Sequence, residues 1–416
     1  MMPIHTRRNA SPRSLQLKQA ILAVFKREAP AARRLEEFSE TDWTTVLWWL
    51  DISGIALYFL DEVRRQSLYP CIPHSIITEL ESRMERNRER TRGLLREAWY
   101  LGRQFDAAGI PYALLKGISL VPHSVPDAGL RWQTDLDFLV ARRGLRCARQ
   151  TVSRLGYSLH ADTGSVLEFR AGRTGKPDMA KLYSAQCQRA LELHVDEDHS
   201  ELLIRSHMRE FEGARLATLS AQDILVQQAL HMLKHLCGEH TRLSWVLEFR
   251  RHIEARREDT AFWIAAEEIA AQTRNGDLAM GVAMWLAQSN FGLGGVDVPG
   301  QWKVERLPER VVLWLKLYAG ELLLADSVAS KLYALLRQEI PSRPGEHKST
   351  RKILVPSRFP SPITRPSPQE PTRERAARYL IEIRHFITRL RFHVIEGIRF
   401  AIEASRWRRE AAKCGR

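Results

Sequence analysis

At 416 residues the chain exceeds a single typical core, so about two or three units are expected. No apolar run approaches the roughly 18 residues needed to span a bilayer, the polar start from Met1 to Arg13 is no secretory signal, and Cys71, Cys147, Cys187, Cys237 and Cys414 are too scattered for a disulfide framework or a ligand pattern, which predicts a reducing, cytoplasmic setting. The net charge of +14 and pI of about 9.8 attract phosphate-bearing partners in general and cannot separate a nucleotide from RNA or lipid.

Residues 14 to 108 read as helices: Leu17, Ile21, Val24 and Phe25, then Trp43, Leu47 and Leu50, keep helical spacing, and Ser75 to Phe105 forms one long, highly charged helix. Gly109-Ile110-Pro111 ends it. Short strands and helices occupy roughly 110 to 215, with a helix expected from Arg142 to Leu155, and helices resume from Ala221 to about Leu336. Between 341 and 371 eight prolines predict an extended linker, after which Arg373 to Lys413 returns to helix. The expected divisions are therefore 1–108, 109–215, 216–340, 341–372 and 373–416, with no internal repeat.

Within the strand-rich part, Asp135-Leu136-Asp137-Phe138-Leu139-Val140 alternates so that Leu136, Phe138 and Val140 take one face and both aspartates the other. A strand presents hard oxygen ligands to Mg²⁺ in this way, and Mg²⁺ needs only one or two protein carboxylates when phosphates supply the rest. Upstream, Tyr112 to Ser119 reads as strand, turn and helix: Gly117 permits close backbone approach, the amides of the helix start favour anions, and Lys116 adds a mobile charge. Downstream, Ala190 to Asp196 puts Leu191, Leu193 and Val195 toward a core and leaves Glu192, His194 and Asp196 opposite. Glu192 is the candidate third carboxylate, as metal ligand or general base; the alternative is an amphipathic edge strand with a polar solvent face.

His231 and His235 lie four apart, on one helix face, but no glutamate follows the first and no cysteine pair is near, so a zinc site is weak. They pack the helix, or with Lys234 and Arg242 touch the nucleotide or acceptor; Trp245 is more often core than a stacking platform. In the tail, Tyr379, Ile383, Phe386, Ile387, Leu390, Val394 and Ile398 form an apolar stripe among arginines, and 12 Lys/Arg against 5 Glu from residue 373 onward place +7 of the total charge there. Docking back or dimerising, lying on an anionic membrane, and binding nucleic acid all fit it; Trp407, Phe386, Phe392 and Phe400 suit the membrane case.

The run Leu114-Leu115-Lys116-Gly117, Arg131 and Asp135-Leu136-Asp137-Phe138-Leu139-Val140 resembles the uncharacterised nucleotidyltransferase family of the DNA polymerase beta-like superfamily. Glu192-Leu193-His194-Val195, the helix from Asp223 through His231 and His235, and Arg242 to Glu248 follow in the family's order, with Glu248 where the family commonly has Asp, and likeness persists to Asn290-Phe291-Gly292-Leu293. Many superfamily members carry Gly-Gly or Gly-Ser at the phosphate turn and Asp at the third acid; this chain has Lys116-Gly117 with Ser119, and Glu192.

The resemblance implies an α+β fold, a small mixed-sheet nucleotidyltransferase core flanked by N-terminal and C-terminal helical segments. It implies transfer of an NMP from an NTP to an acceptor hydroxyl of a small molecule, peptide, protein or RNA, with release of pyrophosphate. Asp135, Asp137 and Glu192 would hold Mg²⁺, or Mn²⁺, as one ion or two. Lys116, Gly117, Ser119, Arg131, His194, His231, Lys234 and His235 would serve the nucleotide; Arg131 suits bidentate phosphate contact, or equally a salt bridge to Asp135 or another acid. Two alternatives stand beside it, a catalytically idle nucleotide- or RNA-binding protein of the same fold and a membrane-associated scaffold acting through its tail.

Overall fold

The structure, a computed structural model, describes residues 12–28, 31–172, 182–184, 188–196, 201–325, 330–341 and 372–414; the proline-rich segment 342–371, Cys187 and the first eleven residues lie outside these. The chain opens with helices α1 (Pro12–Lys26), α2 (Ala31–Glu36), α3 (Glu40–Ser53) and α4 (Ala56–Arg65). Helix α3 starts on a capping box, in which Ser39 accepts from the Asp42 amide and Asp42 accepts from that of Ser39, and stops at Gly54 in the left-handed conformation. The long helix α5 runs His74–Ala107 and buries Leu80, Met84, Asn87, Thr91, Leu94, Ala98, Leu101 and Phe105, which recur every three or four residues and so line one face. Gly109 at φ +63 and Pro111 end it.

Seven strands follow: β1 (Tyr112–Leu115), β2 (Asp135–Ala141), β3 (Ser158–Asp162), β4 (Val166–Gly172), β5 (Gln188–Asp196), β6 (His207–Phe211) and β7 (Ala214–Thr218), with α6 (Leu145–Arg154) after β2 and the single turn α7 (Glu201–Ile204) after β5. They make one mixed sheet in the order β3-β4-β5-β2-β1-β7-β6, with β2/β5 and β1/β7 parallel and the other pairs antiparallel. One face carries Leu114, Leu136, Phe138, Val140, Leu167, Phe169, Leu191 and Leu193, packed on Leu94, Ala98, Leu101 and Phe105 of α5 and on Ala148 and Val152 of α6. Each such Leu or Phe contributes about 1.5–3 kcal/mol by leaving water, and this fixes which way the strand faces turn. Helices α8 (Ala221–Leu236), α9 (Leu243–Ala255), α10 (Thr260–Gln272) and α11 (Gly276–Phe291) complete this part. The fold is thus a mixed sheet with flanking helices. No single described helix is long and apolar enough to cross a membrane.

Two compact units emerge, Met1–Met232 with Arg242–Arg306, and Leu233–Thr241 with Leu307–Arg416. Helix α5 shares its core with the sheet. In the second unit the C-terminal helix spans Thr372–Ala411. It is held there by Glu396, which accepts from the Ser330 hydroxyl and the Lys331 amide at 3.0 Å, by Tyr318 donating to Glu403 at 3.1 Å, and by Arg389 paired with Glu239 at 3.1 Å. Phe400 and Trp407 are buried in it, Trp407 against Tyr318, which takes both aromatics away from any membrane-facing surface.

Candidate active site

On the face of the sheet opposite the core, a cluster of polar side chains forms where β2 and β5 run side by side. Their parallel register sets Asp135 beside Ala190, Asp137 beside Glu192 and Leu139 beside His194. With a side-chain period of two, Asp135, Asp137, Glu192 and His194 therefore share one face, and β1 delivers Lys116 just after Leu115, the partner of Asp137. His194 Nε2 lies 2.9 Å from Asp137 Oδ1 and 3.1 Å from Glu192 Oε2. Lys116 Nζ donates to the same Asp137 oxygen at 2.9 Å and lies 3.9 Å from Glu192. Further along the face, Glu168 of β4 pairs in register with Glu192 and is neutralised by Arg170 at 2.6 Å.

Burial by itself raises a carboxyl, yet Asp137 is held well below the usual carboxylate range because the hydrogen bond from His194 and the charge of Lys116 outweigh it. Asp135 goes the other way and is pushed up to about 6, first by burial and then by the charges of Asp137 and Glu192, which Lys116 and Arg131 only partly offset. Burial lowers Lys116 and His194, but Asp137 more than compensates and both end above their ordinary values. The ligand atoms of Asp137, Glu192 and His194 lie within 4.8 Å of one another, a group of two carboxylates and an imidazole that could hold a divalent ion. The metal trio expected from the sequence was Asp135, Asp137 and Glu192; the structure brings Glu192 and His194 together with Asp137, and Asp135 lies next along the same strand face.

The phosphate turn is unusual backbone. Lys116 sits at φ 50, ψ −160, close to a region almost reserved for glycine, and Gly117 follows at φ 45. A Cβ on Gly117 would lie 2.4 Å from Gln133 Oε1. The helix expected after it is a single 3₁₀ turn, Gly117–Leu120, because Pro122 offers no amide and holds Val121 extended. Ser119 points inward, its hydroxyl and amide both donating to the Lys116 carbonyl at 2.7 and 2.9 Å.

Of the two roles open to Arg131, the structure displays an ion pair with Glu248, Nε to Oε1 3.1 Å, to which Tyr58 also donates at 2.9 Å. Arg131 further donates to Gln133 Oε1 at 3.3 Å, which ties the pair to the side chain lying on Gly117. Next to it the Trp132 indole donates to the Leu182 carbonyl at 2.7 Å and has Arg242 and Arg90 over its ring at 4.8 and 5.7 Å. Arg90 is buried and pushed down to about 10, with Asp135 opposing that shift. Nothing in the charged periodicity of α5 singles Arg90 out. His231 packs edge-on to Trp245, ring centres 4.7 Å apart. Lys234 is exposed and His235 Nδ1 lies 3.2 Å from the His240 carbonyl; both belong to the second compact unit.

The model of a family described as uncharacterised nucleotidyltransferase matches residues 39–292. Among solved structures the chain is similar to an antigenic nucleotidyltransferase-like protein from Paracoccidioides brasiliensis, at 14% identity over 48% of this chain and 96% of that one, with a TM-score of 0.28. No curated protein matches. A match across more than half the chain, containing the turn, both aspartates, Glu192, His194 and the helix with two histidines, makes this protein a member of the uncharacterised nucleotidyltransferase family.

Proposed function

We propose that the protein transfers an NMP from an NTP to an acceptor hydroxyl and releases pyrophosphate. The observation that carries the reading is the in-register placement of Asp137 beside Glu192, with Asp135 one position along the same face and Lys116 reaching in from the turn. The acceptor oxygen attacks the α-phosphorus, the bond to the bridging oxygen of the β-phosphate breaks, and the hydroxyl proton passes to a carboxylate. Glu192 suits that last role, being part-exposed at the margin of the cluster and oriented by His194.

Asp137, Glu192 and His194, with Asp135 beside them, are the residues that would hold a divalent ion, which when bound neutralises developing charge on the phosphates. Mg²⁺ is the first candidate, and the imidazole leaves room for Mn²⁺. Lys116 spends one of its three ammonium N–H groups on Asp137, and the triphosphate oxygens, a stronger acceptor set, would take another. The amides around Gly117 line the turn, and Arg131 acts on it through Gln133. The acceptor is a small molecule, a peptide or protein side chain, or RNA.

The test is incubation with each α-³²P-labelled NTP and Mg²⁺ or Mn²⁺ in cell extract separated into RNA, protein and small-molecule fractions, beside Asp135→Asn/Asp137→Asn. Label confined to one fraction and reduced about a hundredfold or more in the variant is expected, the scale for removing preorganised charge at a reacting centre. Equal NTP binding by both proteins with no label anywhere would instead mark an idle nucleotide-binding protein.

A further inference from the structure

Among the described residues, a run of exposed apolar side chains lies far in sequence from the catalytic motifs. Along the C-terminal helix Leu380, Ile383, Ile387, Leu390, Val394 and Ile398 recur every three or four residues and are all half or more exposed, with Ile398 reaching 59%. At roughly 100° per residue these side chains occupy the side of the helix opposite Arg389, Glu396, Phe400, Glu403 and Trp407, the residues that fasten it within its own unit. The helix thus carries two apolar sides, one consumed by packing and one turned outward. Six arginines and two glutamates occupy residues 372–395, and the charges along one border of the outward stripe, Arg373, Arg384 and Arg391, are all basic.

We propose that this outward face is a docking surface for an anionic lipid bilayer, the helix lying in the interfacial plane with its apolar stripe among the acyl chains and its arginines on lipid phosphates. Charge and apolarity together select this occupant. A nucleic acid would meet the arginines but gives the isoleucines and leucines nothing to leave water for. A second copy of the chain would cover the apolar stripe but would bring together two stretches that each carry six arginines against two glutamates. An exposed apolar stripe of this length on a helix already anchored along its other side is the arrangement of an interfacial helix.

The experiment is co-sedimentation of the full chain with phosphatidylcholine vesicles and with vesicles of roughly three parts phosphatidylcholine to one part phosphatidylglycerol, at low and high salt. We expect binding to the anionic vesicles at least tenfold tighter than to neutral ones, weakened by salt, and lost tenfold or more in Ile383→Glu/Leu390→Glu/Val394→Glu while its circular dichroism stays that of the parent. Arg373→Gln/Arg391→Gln, which leaves the stripe intact, should bind anionic vesicles several-fold more weakly and neutral ones unchanged. Equal binding by parent and both variants, or equal binding to both vesicle types, overturns the proposal. So does a parent that is dimeric without vesicle affinity and becomes monomeric in the triple variant, since the stripe then meets a second copy.

Discussion

Replacing Arg131 by Met separates a brace from a phosphate ligand. Its side chain is 16% exposed and that of Glu248 2%, so the substitution strands a buried carboxylate whose remaining partner is the Tyr58 hydroxyl at 2.9 Å. Breaking a buried pair on one side costs about 3–5 kcal/mol, and the partial exposure of Arg131 places this case near the lower figure, about 3 kcal/mol. At about 2–4 °C per kcal/mol for a unit of a few hundred residues, the melting temperature should drop by about 6–12 °C. Adding Glu248→Gln removes the stranded charge while leaving an acceptor for Tyr58, and should recover more than half of the loss. Calorimetry of the two variants reads this directly, and nucleotide titration of the same samples should display only a few-fold loss of affinity, transmitted through Gln133 to the turn. The reasoning fails if Arg131→Met melts with the parent but no longer binds NTP, or if the double variant is no more stable than the single one.

Gly117→Ala places a methyl 2.4 Å from Gln133 Oε1 at a backbone φ of 45, and the left-handed conformation alone costs a side chain roughly 1–2 kcal/mol. We expect NTP affinity to fall about tenfold or more by isothermal titration, since 1.4 kcal/mol is a factor of about ten, and an unchanged affinity would remove this turn from the nucleotide site. The second prediction concerns pH: burial, then the charges of Arg256 and Arg209, pushes His123 down to about 4, and burial with His123 beside it depresses His252 further. The unfolded chain takes up these protons near the ordinary histidine value of about 6.5 while the folded one refuses them, so this contribution to stability is complete above that pH and is lost as pH falls toward 4. The drop in melting temperature over that window should be smaller in His252→Gln than in the parent; parallel curves would refute it.

Local alternation made much of this fold legible. The period of two in Asp135–Val140 and Ala190–Asp196 determined which faces became core, and helical spacing located α5 to within two residues at each end, Ser75–Phe105 expected and His74–Ala107 found. The polar side of the site followed from the same alternation, because register alone sets Glu192 beside Asp137. What escaped was the identity of the partners gathered around Glu248. Arg131 meets Glu248 across 117 positions and Tyr58 meets Glu248 across 190, separations over which no periodicity operates. Ser119 was expected beside the nucleotide; its hydroxyl and amide both donate to the Lys116 carbonyl, a local bond that the sequence pattern does not announce. His194 was expected beside the nucleotide; its ring nitrogen lies between two carboxylates, a position set by how β5 lies against β2.

The pairing of β2 with β5 also governs when the site comes into being. Asp137 and His194 are 57 positions apart, and no stretch of chain short enough to fold early contains both. The half-site on β2 exists as soon as that strand forms, but its carboxylates then face only each other, and their mutual repulsion opposes the strand that carries them. Only when β5 docks in the correct register do His194 and Glu192 arrive, and a slip of one residue would bury both among Phe169 and Leu167 and turn Leu191 and Leu193 to the solvent side. Catalytic geometry is in this sense a checksum on the assembled sheet: a ligand that requires the full cluster will favour the native strand order over every near-miss, and will add its binding free energy to the pairing that created it.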